Sequence, residues 1–420
     1  MDFRLSPRAE SLLQRLRTFL SEEVEPVEAE ILATRAGNCA GNAAGADWRL
    51  WRDSPLVEGL KDRARAAGLW NLFLADPTLG AGLSTLDYAP LAEAMGWSAL
   101  APELFNCNAP DSGNMEVLLH HGTAAQKERW LRPLLSGEIR SAFCMSEPGV
   151  ASSDPTNLAA TIAFEGEELV LDGHKWWATG LGHPRCELGL FVGVSNPAAD
   201  RHHRHSLALV PLATPGVRIL RMLPCFGDYD PPAGHGELVF DRVRVPRSAL
   251  VGEPGQGFAI AQGRLGPGRV HHCMRAIGAA ERALSLMVRR SRERTAFGKP
   301  LADLGGNRER LADLRIAIDG ARLQVLHAAW KMDQEGGAGR ARGEISAIKI
   351  VVPAMLQKVA DEAIQLFGGA GLTSDLPLTA CFAMARALRI ADGPDAVHRE
   401  LIARLELRKY EPPVAPAAQS

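Results

Sequence analysis

The sequence has none of the features that mark a secreted, membrane-spanning or disulfide-bonded protein. No run of about eighteen apolar residues occurs, so no transmembrane helix is expected. The seven cysteines stand singly, and their odd number and lack of paired spacing argue against a disulfide framework or a zinc site. The amino terminus has no basic region followed by an apolar run, so a secretory signal is not expected. These absences together predict a cytoplasmic protein.

An excess of charge of one sign is also missing. The 47 Lys and Arg residues nearly balance the 49 Asp and Glu residues, which gives a net charge of −2. The composition therefore gives no electrostatic reason to expect nucleic acid or an anionic membrane as the main partner. What the sequence does contain is apolar residues, 46% of the chain, enough to form a large core in two or three domains.

The apolar periodicity divides the chain into three domains and predicts an α+β fold. Residues 1–140 have helical spacing, and the first helix is expected to end near Pro26. Residues 141–253 contain six short apolar runs between turn residues, which favours a small β-barrel or sandwich. Residues 254–410 return to helical spacing and predict a helical bundle. The tail, residues 411–420, is rich in Pro and Ala and is expected to be disordered.

A loop dense in small hydroxyl residues lies at the first domain junction. From Phe143 to Asp154 it reads Phe-Cys-Met-Ser-Glu-Pro-Gly-Val-Ala-Ser-Ser-Asp. Such a loop offers backbone N–H groups and short Ser side chains to a polar ligand. Taken alone, it is also typical of an ordinary turn.

Five motifs occur in order along the chain: Met-Ser-Glu-Pro with Ser-Ser-Asp (145–154), Lys-Trp-Trp-Ala-Thr-Gly (175–180), Arg-Thr-Ala-Phe-Gly (294–298), Gln-Leu-Phe-Gly-Gly-Ala-Gly-Leu (365–372) and Ala-Asp-Gly-Pro-Asp (391–395). In this order they make the chain resemble the flavin-dependent acyl-CoA dehydrogenase family. The resemblance covers nearly the whole chain and implies a helical N-terminal domain, a small middle β domain and a C-terminal four-helix bundle. Within the family, the Ala-Ser-Ser-Asp of the first loop (151–154) and the Asp of the last motif resemble the branch that contains acyl-CoA dehydrogenase family member eleven.

The resemblance implies an FAD site shared between two subunits. It places Phe143, Met145 and Ser146 against the flavin, Trp177 over the ring and the Thr179 hydroxyl on flavin N5. Arg294 would reach the pyrophosphate of a neighbouring subunit's FAD, as a fixed bidentate cation suits such a group. The chain is therefore expected to form a homodimer or homotetramer. Further cofactor contacts implied by the resemblance are Ser152, Phe297, Gln365, Gly368, Gly369 and Pro394.

The resemblance also implies an acyl-CoA substrate. The segment Gly266-Pro-Gly-Arg269 is expected to open the first helix of the bundle and to bind the CoA phosphate arm, through Gly268 and Arg269. Ser153 would contact the arm from the other side, although Ser152 is the alternative, and Gly393 would lie beside the substrate. Electrons would pass to an electron-transfer flavoprotein, and the expected setting is fatty acid β-oxidation.

The resemblance further implies a carboxylate base. In the family, a base removes the proton α to the thioester carbonyl while the β-hydrogen leaves as hydride to flavin N5. The usual base is a Glu in a Glu-Gly-Thr turn, and this chain has Asp392-Gly393-Pro394 there. At the other base position known in the family the chain has Gly268, so Asp392 is the expected base. Its alternative role is to cap the helix that starts near Pro394.

The sequence leaves two other functions open. An Asp base is also similar to nitroalkane oxidase, a flavoprotein of the same fold, although the Gly-Pro-Gly-Arg segment and the Ser pair favour CoA. A relative of this fold binds DNA through a basic C-terminal surface, which this chain lacks. The segment Asp200–His205 holds three His, but with no Cys it is more typical of a solvated loop than of a metal site.

Overall fold

A helical domain, a sheet domain and a second helical domain follow one another along the chain, as the sequence predicts. The structure is a computed structural model that describes residues 1–39 and 47–410. It divides into two units, one of Asp2–Arg282 and one that begins at Ala283. The predicted disordered tail lies outside the described residues.

The first domain is built from helices that follow the predicted apolar spacing. Thr123 and Gln126 form a capping box, in which each side chain bonds the other residue's backbone N–H. The helices are α1 (Pro7–Phe19), α2 (Glu25–Gly37), α3 (Pro55–Ala66), α4 (Thr85–Met95), α5 (Ala101–Leu104), α6 (Asp111–His121), α7 (Ala124–Gln126) and α8 (Arg132–Ser136).

The expected helix end at Pro26 is wrong. A π-helical turn, Leu20–Val24, joins α1 to α2, and Pro26 lies in the first turn of α2. A proline is tolerated there because the amides of a first helical turn have no intrahelical partner. Buried Leu20 and Val24 carry the apolar face across the junction, so the helical path continues.

The middle domain is one mixed sheet in the order β6-β7-β3-β2-β4-β5-β8, with β1 pairing beside β4 in parallel. Its core includes Phe191 and Phe240, whose rings meet edge to face at 4.6 Å. The six apolar runs of the sequence correspond to β2–β7, and the sequence does not predict β1 or β8. The strands are β1 (Arg140–Cys144), β2 (Thr161–Glu165), β3 (Glu168–Thr179), β4 (Cys186–Val194), β5 (His205–Pro211), β6 (Val217–Met222), β7 (His235–Pro246) and β8 (Leu250–Val251).

The last domain returns to long helices. A short hairpin of β9 (Thr295–Ala296) and β10 (Lys299–Pro300) separates the first two long helices. In the second unit, α12 packs against α10, α13 and α14. The helices are α9 (Gly257–Glu293), α10 (Asn307–Met332), α11 (Gly337–Arg340), α12 (Arg342–Phe367), α13 (Leu378–Leu388) and α14 (Asp395–Leu407).

The end of α4 and the middle of α9 approach each other through two glycines. A Cβ placed on Gly278 would lie 1.8 Å from the carbonyl oxygen of Glu93, and one on Gly96 would lie 1.9 Å from that of Arg275. No side chain fits at such separations, so both positions require glycine. Farther along α9, Arg282 donates to Glu28 of α2 at 2.9 Å. The first half of α9 is thus fixed to the N-terminal helices.

We expect Gly278→Ala to destabilise the protein by at least about 1–3 kcal/mol, because the added methyl group must push two backbones apart. Gly263→Ala is the matched control: it lies in the same helix, and a Cβ there meets nothing within 4 Å. The control should be neutral or stabilising by up to about 1 kcal/mol. Urea unfolding of both variants measures the difference, and equal stabilities would contradict the glycine contact.

Candidate active site

The strand that leads into the hydroxyl-rich loop is held by a buried carboxylate. Asp111, at the start of α6, accepts hydrogen bonds from the backbone N–H and the hydroxyl of Ser141, both at 2.7 Å. Arg140 donates to the same carboxyl group at 3.3 Å, and Asn114 donates to the Ser141 hydroxyl at 2.9 Å. All four side chains are buried. The start of β1 is therefore fixed, and with it the direction in which Phe143 enters the loop.

A buried ion pair organises the loop itself. The Lys175 ammonium donates to Glu147 at 2.7 Å, and it also donates to the carbonyls of Met145 at 3.0 Å and Val192 at 2.7 Å. Its side chain has no exposed surface. Burial lowers the pKa of Lys175, and the Glu147 carboxylate opposes that effect. Three acceptors satisfy the three ammonium donors, so the charge is compensated and the loop is tied to β3 and β4.

The other end of the loop closes on the same acid. Glu147 accepts from the backbone N–H groups of Ala159 at 2.8 Å and Ala160 at 3.1 Å. The Ser152 hydroxyl accepts from the Glu147 backbone N–H at 2.9 Å. Ser153 is exposed. Within the described contacts, Ser152 therefore serves the shape of the loop, whereas the Ser153 side chain faces outward.

A bulge in β3 turns Trp177 outward beside the loop. The register of β3 against β7 shifts between Lys175 and Ala178, and Trp177 has a left-handed backbone with φ of 52°. Bulges of this kind redirect side chains near functional sites. As a result the indole is 42% exposed. The backbone N–H of Trp176 bonds the Ser146 carbonyl at 3.0 Å, which joins the bulge to the loop.

The ring of Phe143 and the hydroxyl of Thr179 each contact a side chain that the sequence does not predict to lie at the site. The Arg264 guanidinium lies over the Phe143 ring at 4.1 Å and donates to Asn114 at 2.9 Å. Thr179 Oγ1 lies 3.0 Å from Nδ1 of His235. The structure thus brings together the predicted residues 143, 145, 146, 152, 153, 177 and 179 in one region of the first unit.

The expected helix start at Gly266 is wrong. The helix α9 begins at Gly257, so Gly268 and Arg269 lie within it, and Pro267 is an internal proline. The apolar face continues on both sides of the proline, with Ile260, Leu265 and Val270 buried. That burial outweighs the one backbone hydrogen bond that proline removes. Gly268 and Arg269 are both half-buried.

The second unit holds the predicted base in a strained turn. Asp392 has φ of 55° and Gly393 has φ of 103°, so two successive residues adopt left-handed conformations. Asp tolerates this region better than most side chains do. Pro394 occupies the N-cap position of α14, and no side-chain hydrogen bond caps that helix. The structure therefore does not support the reading of Asp392 as the N-cap of α14.

Hydrogen bonds from buried groups fix both ends of the turn at Asp392. The ammonium of Lys349, which is fully buried, donates to the carbonyls of Leu388 and of Ala391, the latter at 2.8 Å. The next charge along the chain is also fixed, since Asp395 accepts from two nitrogens of Arg389 at 2.9 and 2.7 Å. The residue just before Asp392 and the first residue of α14 are thus both anchored.

The remaining predicted cofactor residues lie elsewhere in the second unit. Arg294 is exposed between α9 and the β9–β10 hairpin, and Phe297 at the hairpin tip is 96% exposed. Gln365 lies in the last turn of α12, and the exposed Gly368 ends that helix with φ of 64°. With ψ of −138°, this residue is not in the left-handed helical conformation of the usual glycine cap, and its backbone conformation is one that glycine adopts far more easily than other residues. Gly369 and Pro394 are exposed and half-buried, respectively.

The donors and surfaces of the first unit fit a flavin. An exposed indole lies on the same strand as a Thr hydroxyl, next to a loop in which Met145 and Ser146 are half-buried residues and Ser146 offers a further hydroxyl. Planar aromatic ligands stack on such indoles, and their polar edges take hydrogen bonds from hydroxyl and backbone groups. Among the described residues, no three His, Cys, Asp or Glu side chains form a group that could hold a metal. In the same ranges, no helix is long and apolar enough to span a bilayer.

Comparison with known proteins identifies the family. Family models for the N-terminal, middle and C-terminal domains of acyl-CoA dehydrogenase match residues 6–138, 142–243 and 255–407. "Probable acyl-CoA dehydrogenase FadE2" of Mycobacterium tuberculosis (strain ATCC 25618 / H37Rv) is 49% identical over 99% of this chain and 100% of its own length. The chain belongs to the acyl-CoA dehydrogenase family.

Longer members of the acyl-CoA dehydrogenase family are similar as well. Acyl-CoA dehydrogenase family member 10 of Mus musculus is 50% identical over 98% of this chain, which spans only 38% of that protein. Family member 11 of Rattus norvegicus is 47% identical over 97% of this chain, which spans 51% of it. A solved structure from Mycobacterium abscessus, named as an acyl-CoA dehydrogenase, has a TM-score of 0.93 and 57% identity, covering 97% of this chain and 100% of its own.

These comparisons confirm the family resemblance, its similarity to family member eleven and the three-domain α+β fold. Members of the acyl-CoA dehydrogenase family are FAD-dependent, which confirms the predicted cofactor at the level of the family. Neither the nitroalkane oxidase nor the DNA-binding alternative is favoured.

The sequence does not predict a supporting role for four residues of the site: Glu147, Lys175, His235 and Arg264. For Lys175 a signal exists, because a charged residue interrupts a strand whose buried positions are otherwise apolar. A fully buried Lys needs compensation, so an acid in the adjacent loop could have been sought. For His235 and Arg264 the sequence offers no comparable signal, since their partners come from distant strands and helices.

We expect Lys175→Met to destabilise the protein by about 3–5 kcal/mol, because it leaves the Glu147 carboxylate buried without a counter-charge. The double variant Glu147→Gln with Lys175→Met should recover part of the loss. Glu128→Gln is the control, since Glu128 and its partner Arg132 are 70% and 76% exposed and should contribute less than about 1 kcal/mol. Urea unfolding measures all three. A Lys175→Met protein as stable as the control variant would show that the ion pair does not hold the loop.

Proposed function

We propose that the chain is an FAD-dependent acyl-CoA dehydrogenase that uses Asp392 as base and releases a 2,3-enoyl-CoA. The observation that carries the proposal is the turn at Asp392. Its carboxyl group is set on a left-handed backbone, outside the N-cap position of α14 and next to a carbonyl fixed by buried Lys349. A residue kept in such a conformation by its surroundings is typical of a functional position.

The reaction requires a carboxylate that is both held and protected from water. The α-hydrogen of a thioester is weakly acidic, so a base takes it efficiently only when it is fixed within hydrogen-bond reach. Lys349 fixes the backbone that carries Asp392, and the side chain of Asp392 is half-buried. FAD, when bound, supplies the acceptor for the β-hydrogen, which leaves with its electron pair. Asp392 keeps the α-proton.

In this proposal the first unit holds the flavin. Met145 and Ser146 would offer backbone groups and a hydroxyl, Trp177 its exposed ring and Thr179 its hydroxyl. Phe143, whose ring lies under the Arg264 guanidinium, would support the flavin-binding surface, and Ser152 would maintain the conformation of the loop. The Ser153 side chain, exposed at the loop's outer end, would contact the CoA arm. Arg269 and Gly268 of α9 and Gly393 complete the substrate contacts that we propose.

We further propose that the active form is a homodimer or homotetramer. Phe297 at the hairpin tip is 96% exposed and has a left-handed backbone with φ of 50°, which is rare for a bulky residue. A residue held in this way favours a contact with another protein surface or a ligand. Arg294, Gln365, Gly368 and Gly369, together with Pro394, would then contact the FAD of a partner subunit. An electron-transfer flavoprotein as electron acceptor, a role in fatty acid β-oxidation and a cytoplasmic location belong to the same proposal.

We expect Asp392→Asn to retain FAD but to reduce it at least about a hundredfold more slowly with acyl-CoA, because the base is lost. Asn also tolerates the left-handed backbone, so the turn should persist. Anaerobic stopped-flow bleaching of the flavin absorbance, with a panel of acyl-CoA thioesters, measures the rate. Asp375→Asn, at an exposed position in the same unit, is the control and should reduce as the wild type does. Undiminished reduction in Asp392→Asn would contradict its role as base, and a wild type bleached only by nitroalkanes would contradict the CoA substrate.

We expect Arg294→Gln to weaken FAD binding by roughly tenfold to a hundredfold, the range for a lost charge-assisted hydrogen bond. Titration of apoprotein with FAD, followed by flavin fluorescence, measures the affinity. Arg292→Gln is the control, because Arg292 is exposed two residues earlier in the chain and has no proposed contact. Sedimentation at falling protein concentration should show FAD release together with subunit dissociation. A monomer that keeps its FAD would contradict the shared site.

A further inference from the structure

His235 touches both of the β3 side chains that the proposed function places on the flavin. His235 and Thr179 are register partners on β7 and β3, and Nδ1 lies 3.0 Å from Thr179 Oγ1. The imidazole ring also lies 5.7 Å from the Trp177 ring, at an interplanar angle of 47°. The imidazole is therefore placed to act on the direction of the Thr179 hydroxyl.

A hydroxyl has one proton and two lone pairs, so its partner on one side decides what it offers on the other. If Nδ1 of His235 carries a proton, it donates to Oγ1, and the Thr179 hydroxyl proton is left for the ligand. If Nδ1 carries none, the hydroxyl donates to it, and Oγ1 accepts from the ligand. Flavin N5 accepts a hydrogen bond in the oxidised cofactor and donates one in the reduced cofactor. The two arrangements therefore match the two oxidation states.

We propose that His235 is a positioning residue that turns the Thr179 hydroxyl from donor to acceptor between oxidised and reduced flavin, and so couples its own protonation to the flavin's reduction potential. This inference rests on the proposed function, because it requires the flavin to lie at Thr179. It adds to that function a residue on a different strand and a pH dependence.

The groups around His235 determine where it titrates. Burial lowers the pKa of His235, and the carboxylate of Asp228, in the segment between β6 and β7, acts in the opposite direction. From β3 it meets the uncharged Trp177 and Thr179. Along β6 and β7 the next charges are Arg221 and Glu237, which pair with each other at 2.7 Å, and Glu237 also bonds His174. His235 is therefore neutral at neutral pH in the absence of ligand.

A neutral imidazole can move its proton between Nδ1 and Nε2 without any change in charge, so the hydroxyl can turn at neutral pH. At lower pH the imidazolium carries a proton on Nδ1 as well as on Nε2, so it holds the Thr179 hydroxyl as a donor, the arrangement that matches oxidised flavin. Reduced flavin requires Nδ1 without a proton, so reduction lowers the pKa of His235 and releases one proton between the two pKa values. For a two-electron couple, each released proton makes the fall of the potential with pH shallower by about 30 mV per pH unit, the equivalent of a tenfold change in equilibrium constant.

The test is the flavin midpoint potential of the FAD-loaded protein as a function of pH, measured by spectroelectrochemistry. The wild type should show a shallower segment on the acid side, and a steeper segment there would contradict the relay. His235→Asn places an amide near the position of Nδ1 that cannot titrate, so it should retain FAD and lose that segment. His174→Asn changes a histidine on the same sheet and should keep the wild-type profile. If His235→Asn fails to fold, His235→Gln takes its place with the same expectation.

A double-mutant cycle tests whether the effect passes through the hydroxyl. Thr179→Val removes the hydroxyl, so the shift in potential caused by His235→Asn should be smaller in that background, and additive shifts would overturn the relay. Identical potential–pH profiles for the wild type and His235→Asn would overturn the whole inference. A wild type that binds no FAD would instead overturn the proposed function. A wild type that binds FAD and is unaffected by His235→Asn leaves that function standing and refutes only this inference.

Discussion

The ammonium of Lys175 lies in the interior of the sheet domain, where it bonds one carboxylate and two backbone carbonyls and reaches no solvent. A buried charge is strongly destabilising when one of its partners is missing, so Glu147 and the carbonyls of Met145 and Val192 must all be in place for the domain to fold. Two of those three acceptors belong to the loop beside Trp177. The shape of that loop is thereby set by the folding of the sheet, before any ligand is present.

The second unit uses the same physical device. Lys349 is also fully buried, and it also bonds main-chain carbonyls, those of Leu388 and Ala391. In each unit the carbonyl immediately precedes a residue to which we assign a role, Ser146 in one and Asp392 in the other. A lysine suits this task because its long aliphatic side chain can cross the apolar core. Its three ammonium donors can then bond carbonyls of segments that are not hydrogen-bonded to each other as neighbouring strands.

Sequence periodicity was sufficient for the three domains and for most strands, because apolar spacing directly reflects which face is buried. It failed where a local signal competed with tertiary packing. Pro26 and Pro267 both look like helix boundaries, yet buried apolar residues on either side continue the helix through each of them. At the candidate site, motif residues such as Trp177 and Thr179 could be named from the sequence. Their supports could not, since the contact of His235 with Thr179 depends on the register of two strands about sixty residues apart along the chain.

The left-handed backbone at Asp392 links the length of the side chain to the shape of the turn. Asp and Asn enter this region more readily than longer side chains, because their short polar groups can bond the local backbone. A Glu introduced here would extend the carboxylate by one methylene and would also weaken the preference for the turn that aims it. Asp and Glu at this position therefore require different backbone conformations of the turn. A substitution of one acid for the other changes the length of the side chain and the preferred backbone conformation at the same time.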